Sequence, residues 1–242
     1  MSGKDQTPAA RAGGEVTQSN ADEVDAFLAK VRAAPAPLKA GERGRLIFAM
    51  DATMSRQPTW DTACRIQAEM FDETAKIGGL DVQLVYFRGF RECRASRWVA
   101  DAMQLADLMT QVSCRGGHTQ IGKVLKHVHA ETEKAKVDAV VYVGDCMEES
   151  IDRLCHLAGE LSILGVPVFM FQEGRNMIAE RAFREIARLT GGAYCRFDAG
   201  SAGQLRQLLS AVAVYAAGGR KALADLSSAR GGQAALLLEQ LK

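Results

Sequence analysis

From about residue 45 onward, apolar residues come in short unbroken runs separated by longer amphipathic stretches. The runs RLIFAMD (45–51), DVQLVYF (81–87), AVVYVGD (139–145), VPVFMF (166–171) and AYCRF (193–197) each read as a strand covered on both faces of a sheet. Between them, apolar positions recur at helical spacing. Trp60, Ala63, Cys64, Gln67, Met70, Phe71, Thr74 and Ile77 predict a helix that begins near Pro58 and is closed by Gly78-Gly79. Ile121, Val124, Leu125, Val128, Thr132 and Ala135 mark one face of a helix over 119–135. Further helices are expected over 98–112, 149–163, 177–189 and 203–217, the last ending at Gly218-Gly219. A tight connection at 88–91 leads into a short strand around 92–95, antiparallel to its predecessor.

Alternation of apolar strands with helices means parallel pairing with helices on both faces. The pattern predicts an α/β, doubly wound, Rossmann-like sheet, mainly parallel and six-stranded, with one antiparallel edge strand. The domain is expected to span 43–218. Residues 1–42, rich in Ala, Gly, Ser, Thr and Pro, read as a disordered segment and linker, with a short docking helix over 21–33 inside it. Residues 219–242 carry Leu223, Leu226 and a leucine cluster around Leu237, interrupted by Gly231-Gly232, and read as a C-terminal tail with helical content.

Composition narrows the function. The 242 residues are 48% hydrophobic, enough for a sizeable core, and 30 Lys+Arg stand against 29 Asp+Glu. That balance argues against a chain whose main task is gripping nucleic acid, which needs a strongly basic face. Six cysteines without a C-x-x-C pair exclude a disulfide scaffold and a zinc ribbon. The N-terminus has no apolar stretch of signal-peptide type, and no run of 18 apolar residues occurs. The expectation is a cytoplasmic protein with reduced thiols, no membrane association and no nucleic-acid partner. Neither G-x-G-x-x-G nor G-x-x-x-x-G-K-[ST] follows any strand, which removes the usual phosphate cradles.

Two of the apolar strands end in a carboxylate, Asp51 and Asp145, at the edge where open α/β sheets bind ligands. A carboxylate ending a buried strand is costly unless compensated. After Asp51, hydroxyls follow at alternate positions, Thr53 and Ser55, so the three side chains can converge. Oxygen donors with no His or Cys among them suit a hard ion such as Mg²⁺. The bland reading is that these residues cap the helix that starts near Gln57.

Asp51-x-Thr53-x-Ser55 resembles the D-x-S-x-S signature of von Willebrand factor type A (VWA) domains, which opens their metal-ion-dependent adhesion site. The family adds a Thr from a loop before a later helix, matched by Thr119 after Gly116-Gly117-His118, and a strand-final Asp, matched by Asp145. The resemblance covers about residues 44–218. Thr53 stands where the family usually has Ser, His118 intervenes before Thr119, and Cys146 stands where a Gly is usual. The resemblance implies a VWA-like fold, Mg²⁺ or Mn²⁺ held by Asp51, Thr53, Ser55, Thr119 and Asp145, and no enzymatic activity. It also implies a protein partner whose acidic residue completes the metal's shell. For bacterial members the partner is often an ATPase or chaperone-like machine.

Other residues carry less. His127 and His129 lie two apart on a helix and so on different sides, His127 toward solvent and His129 beside the apolar face. Cys64, Cys155 and Cys195 read as small buried hydrophobes, and Cys146, beside Asp145, as a thiol that could be exposed and reactive. Arg88, Arg91, Arg94 and Arg97 cluster around the hairpin, as a solvated face or as a contact for an acidic partner, with Arg88, Arg91 and Arg94 the candidate partner-binding residues. The alternative function is a Mg²⁺-dependent phosphohydrolase with Asp51 as nucleophile. Such enzymes want a second Asp two residues on as general acid, and Thr53 occupies that position.

Overall fold

A computed structural model of the chain describes residues 43–65, 79–197 and 202–229, together with Ala29, which is helical. The segment 1–42 apart from Ala29, the second half of the helix expected after Pro58, and residues 230–242 lie outside the described residues. The elements run β1 (Gly44–Asp51), a single 3₁₀ turn (Met54–Arg56), α1 (57–65), β2 (Leu80–Arg88), β3 (Glu92–Val99) and α2 (Ala102–Thr110). They continue with α3 (Ile121–Lys134), β4 (Ala139–Gly144), α4 (Ile151–Ile163), β5 (Val168–Glu173), α5 (Met177–Leu189), β6 (Tyr194–Phe197) and α6 (Ala202–Ala229).

The sheet has six strands in the order β3-β2-β1-β4-β5-β6, all parallel except β3. The double-sided burial of β1 follows from its pleat. Leu46, Phe48 and Met50 join a core with α1, α2 and α6, whereas Ile47 and Ala49 join a second core with α3, α4 and α5. Helices therefore cover both faces, as the sequence pattern predicts.

Two boundaries differ from that pattern. β3 extends to Val99 rather than stopping near residue 95, because Trp98 and Val99 pair with Gln83 and Val82 beyond an irregularity in the ladder. At that irregularity the Leu84 N–H donates to Ser96 Oγ at 3.0 Å instead of to a ladder carbonyl. The strand is a partly exposed edge, and its polar sequence ECRASRWV hides its full length. Helix α2 accordingly starts later, at Ala102, with Asp101 Oδ1 accepting the Gln104 N–H. At the other end, Gly219 breaks the helical run with φ +65°, as expected, but a second helical run follows to Ala229.

Strand order reverses between β1 and β4, since β1 leads outward to β2 and β4 leads outward to β5. The crevice outside the carboxyl ends of β1 and β4 is the topological switch point of the sheet. Met50 pairs with Val143, so Asp51 and Asp145 leave neighbouring strands into that crevice one and two residues later. No helix among the described residues is long and apolar enough to cross a membrane.

Candidate metal centre

Asp51, the last residue of β1, is fully buried. Its Oδ1 accepts the Thr53 N–H at 2.7 Å, which bends the chain leaving the strand and points Thr53 and Ser55 back over the crevice. Thr53 Oγ1 and Ser55 Oγ lie 3.3 Å apart, and the Ser55 hydroxyl donates to Asp145 Oδ2 at 2.9 Å. Four oxygen-bearing side chains from two adjacent strand ends thus form one chain of contacts. Thr53 makes no side-chain capping bond at the start of the helical turn it precedes, so simple capping does not account for the arrangement.

The electrostatics ask for a cation. Asp51 Oδ2 and Asp145 Oδ1 are buried and accept no hydrogen bond. Buried carboxylate oxygens left in this state are rare unless water or an ion serves them. Burial pushes the Asp51 carboxyl up to about 6, and the nearby Asp145 charge adds to the rise, against the lowering influence of Thr53 and Arg56. One ligand atom each from Asp51, Asp145 and Cys146 lie within 4.8 Å of one another. Together with the hydroxyls, this donor set fits a divalent cation.

Behind the crevice sits Arg56, 1% exposed, the residue after Ser55 in the same 3₁₀ turn. Its guanidinium is ion-paired with Glu173 at the end of β5, and Glu173 also accepts the Thr59 hydroxyl. Burial lowers the guanidinium pKa, while Asp145 and Asp51 raise it. Arg56 therefore supplies one fixed positive charge to a neighbourhood holding three carboxylates.

The loop before α3 closes one wall. Its Arg115 N–H donates to Ala52 O at 2.9 Å, and its His118 N–H to Gly89 O at 3.1 Å. A Cβ on Gly117 would stand 2.1 Å from Gly89 O, so only glycine lets the loop and the β2–β3 turn meet. Thr119 reaches the crevice region but is held by Glu148. Its N–H and hydroxyl donate to Glu148 Oε2 at 3.0 and 2.7 Å, and the Glu148 N–H donates back to Thr119 Oγ1 at 3.2 Å. Glu149 accepts from the N–H groups of Ile121 and Gly122, so the two acids after β4 satisfy the start of α3.

No family sequence profile matches the chain, and no curated protein matches it in sequence. Solved structures do match in shape. A von Willebrand factor type A protein from Catenulispora acidiphila superposes with a TM-score of 0.57 at 14% identity, over 72% of this chain and 43% of that one. The SpRpn10 VWA domain gives 0.53 at 13% identity, over 69% of this chain and 92% of that one. The fold is that of a VWA domain. Proximal thread matrix protein 1 from the mussel byssus, with its MIDAS motif occupied by zinc, gives 0.56 at 16% identity, over 72% of this chain and 46% of that one. The chain thus spans less than half the length of the Catenulispora and mussel proteins.

Within this VWA-like fold the residues singled out from sequence have different surroundings. Arg88 is tied into the hairpin, with Nε and Nη2 on the Glu92 carboxylate and Nη1 on Ser113. Arg94 pairs with Glu92 as well, at 3.0 Å. Arg91 is exposed in the turn, and its guanidinium has no hydrogen bond or ion pair among the described residues. His127 corrects an expectation. Its ring is half-buried and bonds Gln83 Oε1 at 2.8 Å, because the β2 face beneath α3 carries a buried polar residue, and burial pushes its pKa down. Cys195 is buried as expected, Cys64 and Cys155 are only half-buried, and none of the six cysteines forms a disulfide. Cys146 is half-buried, and burial and its acidic neighbours push its thiol far above the ordinary value, which opposes a nucleophilic role. Arg56, Glu173 and Glu148 went unseen in sequence, as did the approach of the Cys146 sulfur to Asp51. The one available signal was that Arg56 directly follows the signature serine.

Proposed function

We propose that this VWA domain is a divalent-metal-dependent protein-binding module. In this reading Asp51, Thr53, Ser55 and Asp145 hold the ion, and Thr119 joins them when Glu148 releases it. The observation that carries the reading is the pair of buried, unbonded carboxylate oxygens, Asp51 Oδ2 and Asp145 Oδ1, at the switch point of the sheet. The oxygen donors suit Mg²⁺ or Mn²⁺. When bound, the ion neutralises two mutually repelling carboxylates and offers a water-filled coordination position to an incoming acidic side chain. The Asp51 Oδ1 bond to Thr53 and the Ser55 bond to Asp145 keep the donors oriented toward one point before the ion arrives.

The surroundings support a protein as the second ligand. Of the six large apolar side chains exposed among the described residues, Met54 and Phe90 lie just after β1 and β2, and Met177 and Ile178 open α5 just after β5, so these four, each more than 60% exposed, stand at the carboxyl edge of the sheet. Exposed large apolar groups gathered at one edge mark an interaction surface. Arg91, Arg115 and Arg175 stand exposed in loops at the same edge, with no side-chain hydrogen bond or ion pair among the described residues. A partner that is both apolar and acidic complements such an edge, in keeping with a cytosolic ATPase or chaperone-like machine that uses this chain as an adaptor. Phosphohydrolysis is less well supported, because Thr53 stands where the general acid would be and Asp51 is fully buried.

The test is affinity capture on the full chain in Mg²⁺, in EDTA, and with Asp51→Ala in Mg²⁺. Retention of a protein by the wild-type chain in Mg²⁺ alone is expected. Equal retention under all three conditions contradicts the reading, as does Asp51-dependent phosphate release from phosphoester substrates.

A further inference from the structure

We infer that Cys146 is itself a metal ligand, so that the site takes thiophilic divalent ions such as Zn²⁺ and Co²⁺ more tightly than Mg²⁺. The inference rests on the metal-site reading above and deepens it by naming the class of ion.

Cys146 follows Asp145 directly, in the segment that leaves β4. Its Sγ lies within 4.8 Å of a carboxylate oxygen of Asp51 and of Asp145. Donors on one tetrahedral zinc stand roughly 3.3–3.6 Å apart, given bond lengths of about 2.0–2.3 Å. The three atoms therefore need only small side-chain adjustments to share an ion. The thiol is half-buried and points among acids, with Glu148 Oε1 at 3.7 Å from Sγ. A packing role does not require contacts of this kind, since a thiol is a weak donor and three carboxylates stand around this one.

The chemistry of the donors decides between ions. Mg²⁺ takes hard oxygen ligands and gains nothing from sulfur, whereas a thiolate selects zinc and its neighbours in softness. Coordination replaces the S–H bond with an S–metal bond, and the proton passes to solvent. An oxygen-only site would leave Cys146 as an idle neighbour. A mixed site with two carboxylates and one thiolate holds a divalent ion with a net charge of −1, and the Arg56–Glu173 ion pair beside it leaves that sum unchanged.

The experiment is a titration of the full chain with Co²⁺, followed by absorbance, alongside calorimetry with Zn²⁺ and Mg²⁺. Wild type, Cys146→Ser, Cys146→Gly and Asp51→Ala are compared. The expected result is a thiolate-to-cobalt charge-transfer band in the wild type that both Cys146 variants lose. Zn²⁺ affinity should fall roughly tenfold or more in those variants, with Mg²⁺ affinity unchanged. Binding of Mg²⁺ and Co²⁺ by the wild type without the band overturns the inference and leaves the metal-site reading standing. A band that persists in both Cys146 variants assigns the thiolate to another cysteine and overturns it too. Loss of Mg²⁺ binding in both variants makes Cys146 a residue of loop structure rather than a selective ligand. No divalent binding at all by the wild type overturns both readings.

Discussion

Ser55 donates a hydrogen bond to Asp145 at 2.9 Å, joining two residues that lie 90 apart in the chain. The bond spans the switch point of the sheet and ties the connection after β1 to the one after β4. It also shows why the two strand ends act as one site. Ser55 satisfies one oxygen of Asp145 and leaves the other, Oδ1, unbonded beside the unbonded Oδ2 of Asp51.

Ser55→Ala removes this tie and one hydroxyl donor. The fold should persist, with a stability loss of about 1 kcal/mol in EDTA, as for a single partly exposed hydrogen bond. Mg²⁺ affinity should drop by roughly tenfold, the equivalent of about 1.4 kcal/mol. Urea unfolding and calorimetry on the variant check the two values, and unchanged Mg²⁺ affinity would exclude Ser55 from the ion's shell.

Asp51 makes metal-free stability depend on pH with an unusual sign. Its folded value of about 6 lies above the ordinary 3.8, so the folded state keeps a proton that the unfolded state releases. Stability in EDTA should therefore fall as pH rises through that interval and level off above it, by up to about 3 kcal/mol. Asp51→Asn should lack this component. Urea titrations of both proteins in EDTA between the two values read the difference, and identical slopes would show that Asp51 is not held protonated by burial.

Arg56→Met leaves the partly buried Glu173 without its cation and removes the positive charge facing Asp51 and Asp145. Breaking a buried pair from one side costs about 3–5 kcal/mol, whereas replacing both partners by apolar groups costs much less. Arg56→Met/Glu173→Leu should therefore be more stable than Arg56→Met alone. Chemical denaturation decides it, and equal stability of the two would make the pair irrelevant to the fold.

Phe90→Ser tests the apolar edge separately from the ion. Phe90 is 74% exposed and meets His118 edge-on at a centroid distance of 5.2 Å. The substitution should weaken Mg²⁺-dependent capture of the partner and leave Mg²⁺ binding itself intact. Undiminished capture would show that the partner does not reach the β2–β3 turn.

Much of this site was readable in the chain because its determinants are local. The runs LIFAM and VVYVG fix two covered strands, and the acid ending each falls where parallel strands present ligands. The hydroxyl spacing after Asp51 does the rest. What escaped depends on long-range placement. Arginine belongs at surfaces by composition, and nothing near Arg56 announces that Glu173, from another strand end, comes to meet it. Glu148 likewise takes Thr119 only because the connection after β4 folds back on the start of α3. The far end of β3 escaped for a different reason. A partly exposed edge strand with the sequence ECRASRWV has no apolar period to betray its full length.

The account stands on a divalent ion held by Asp51 and its neighbours, and calorimetric titration with Mg²⁺ and Mn²⁺ measures this directly. Wild type should bind one ion with an affinity that Asp51→Ala abolishes, while the variant remains folded and gains stability in EDTA from the removed buried charge. Equal metal binding by the two proteins, or none by either, would contradict it.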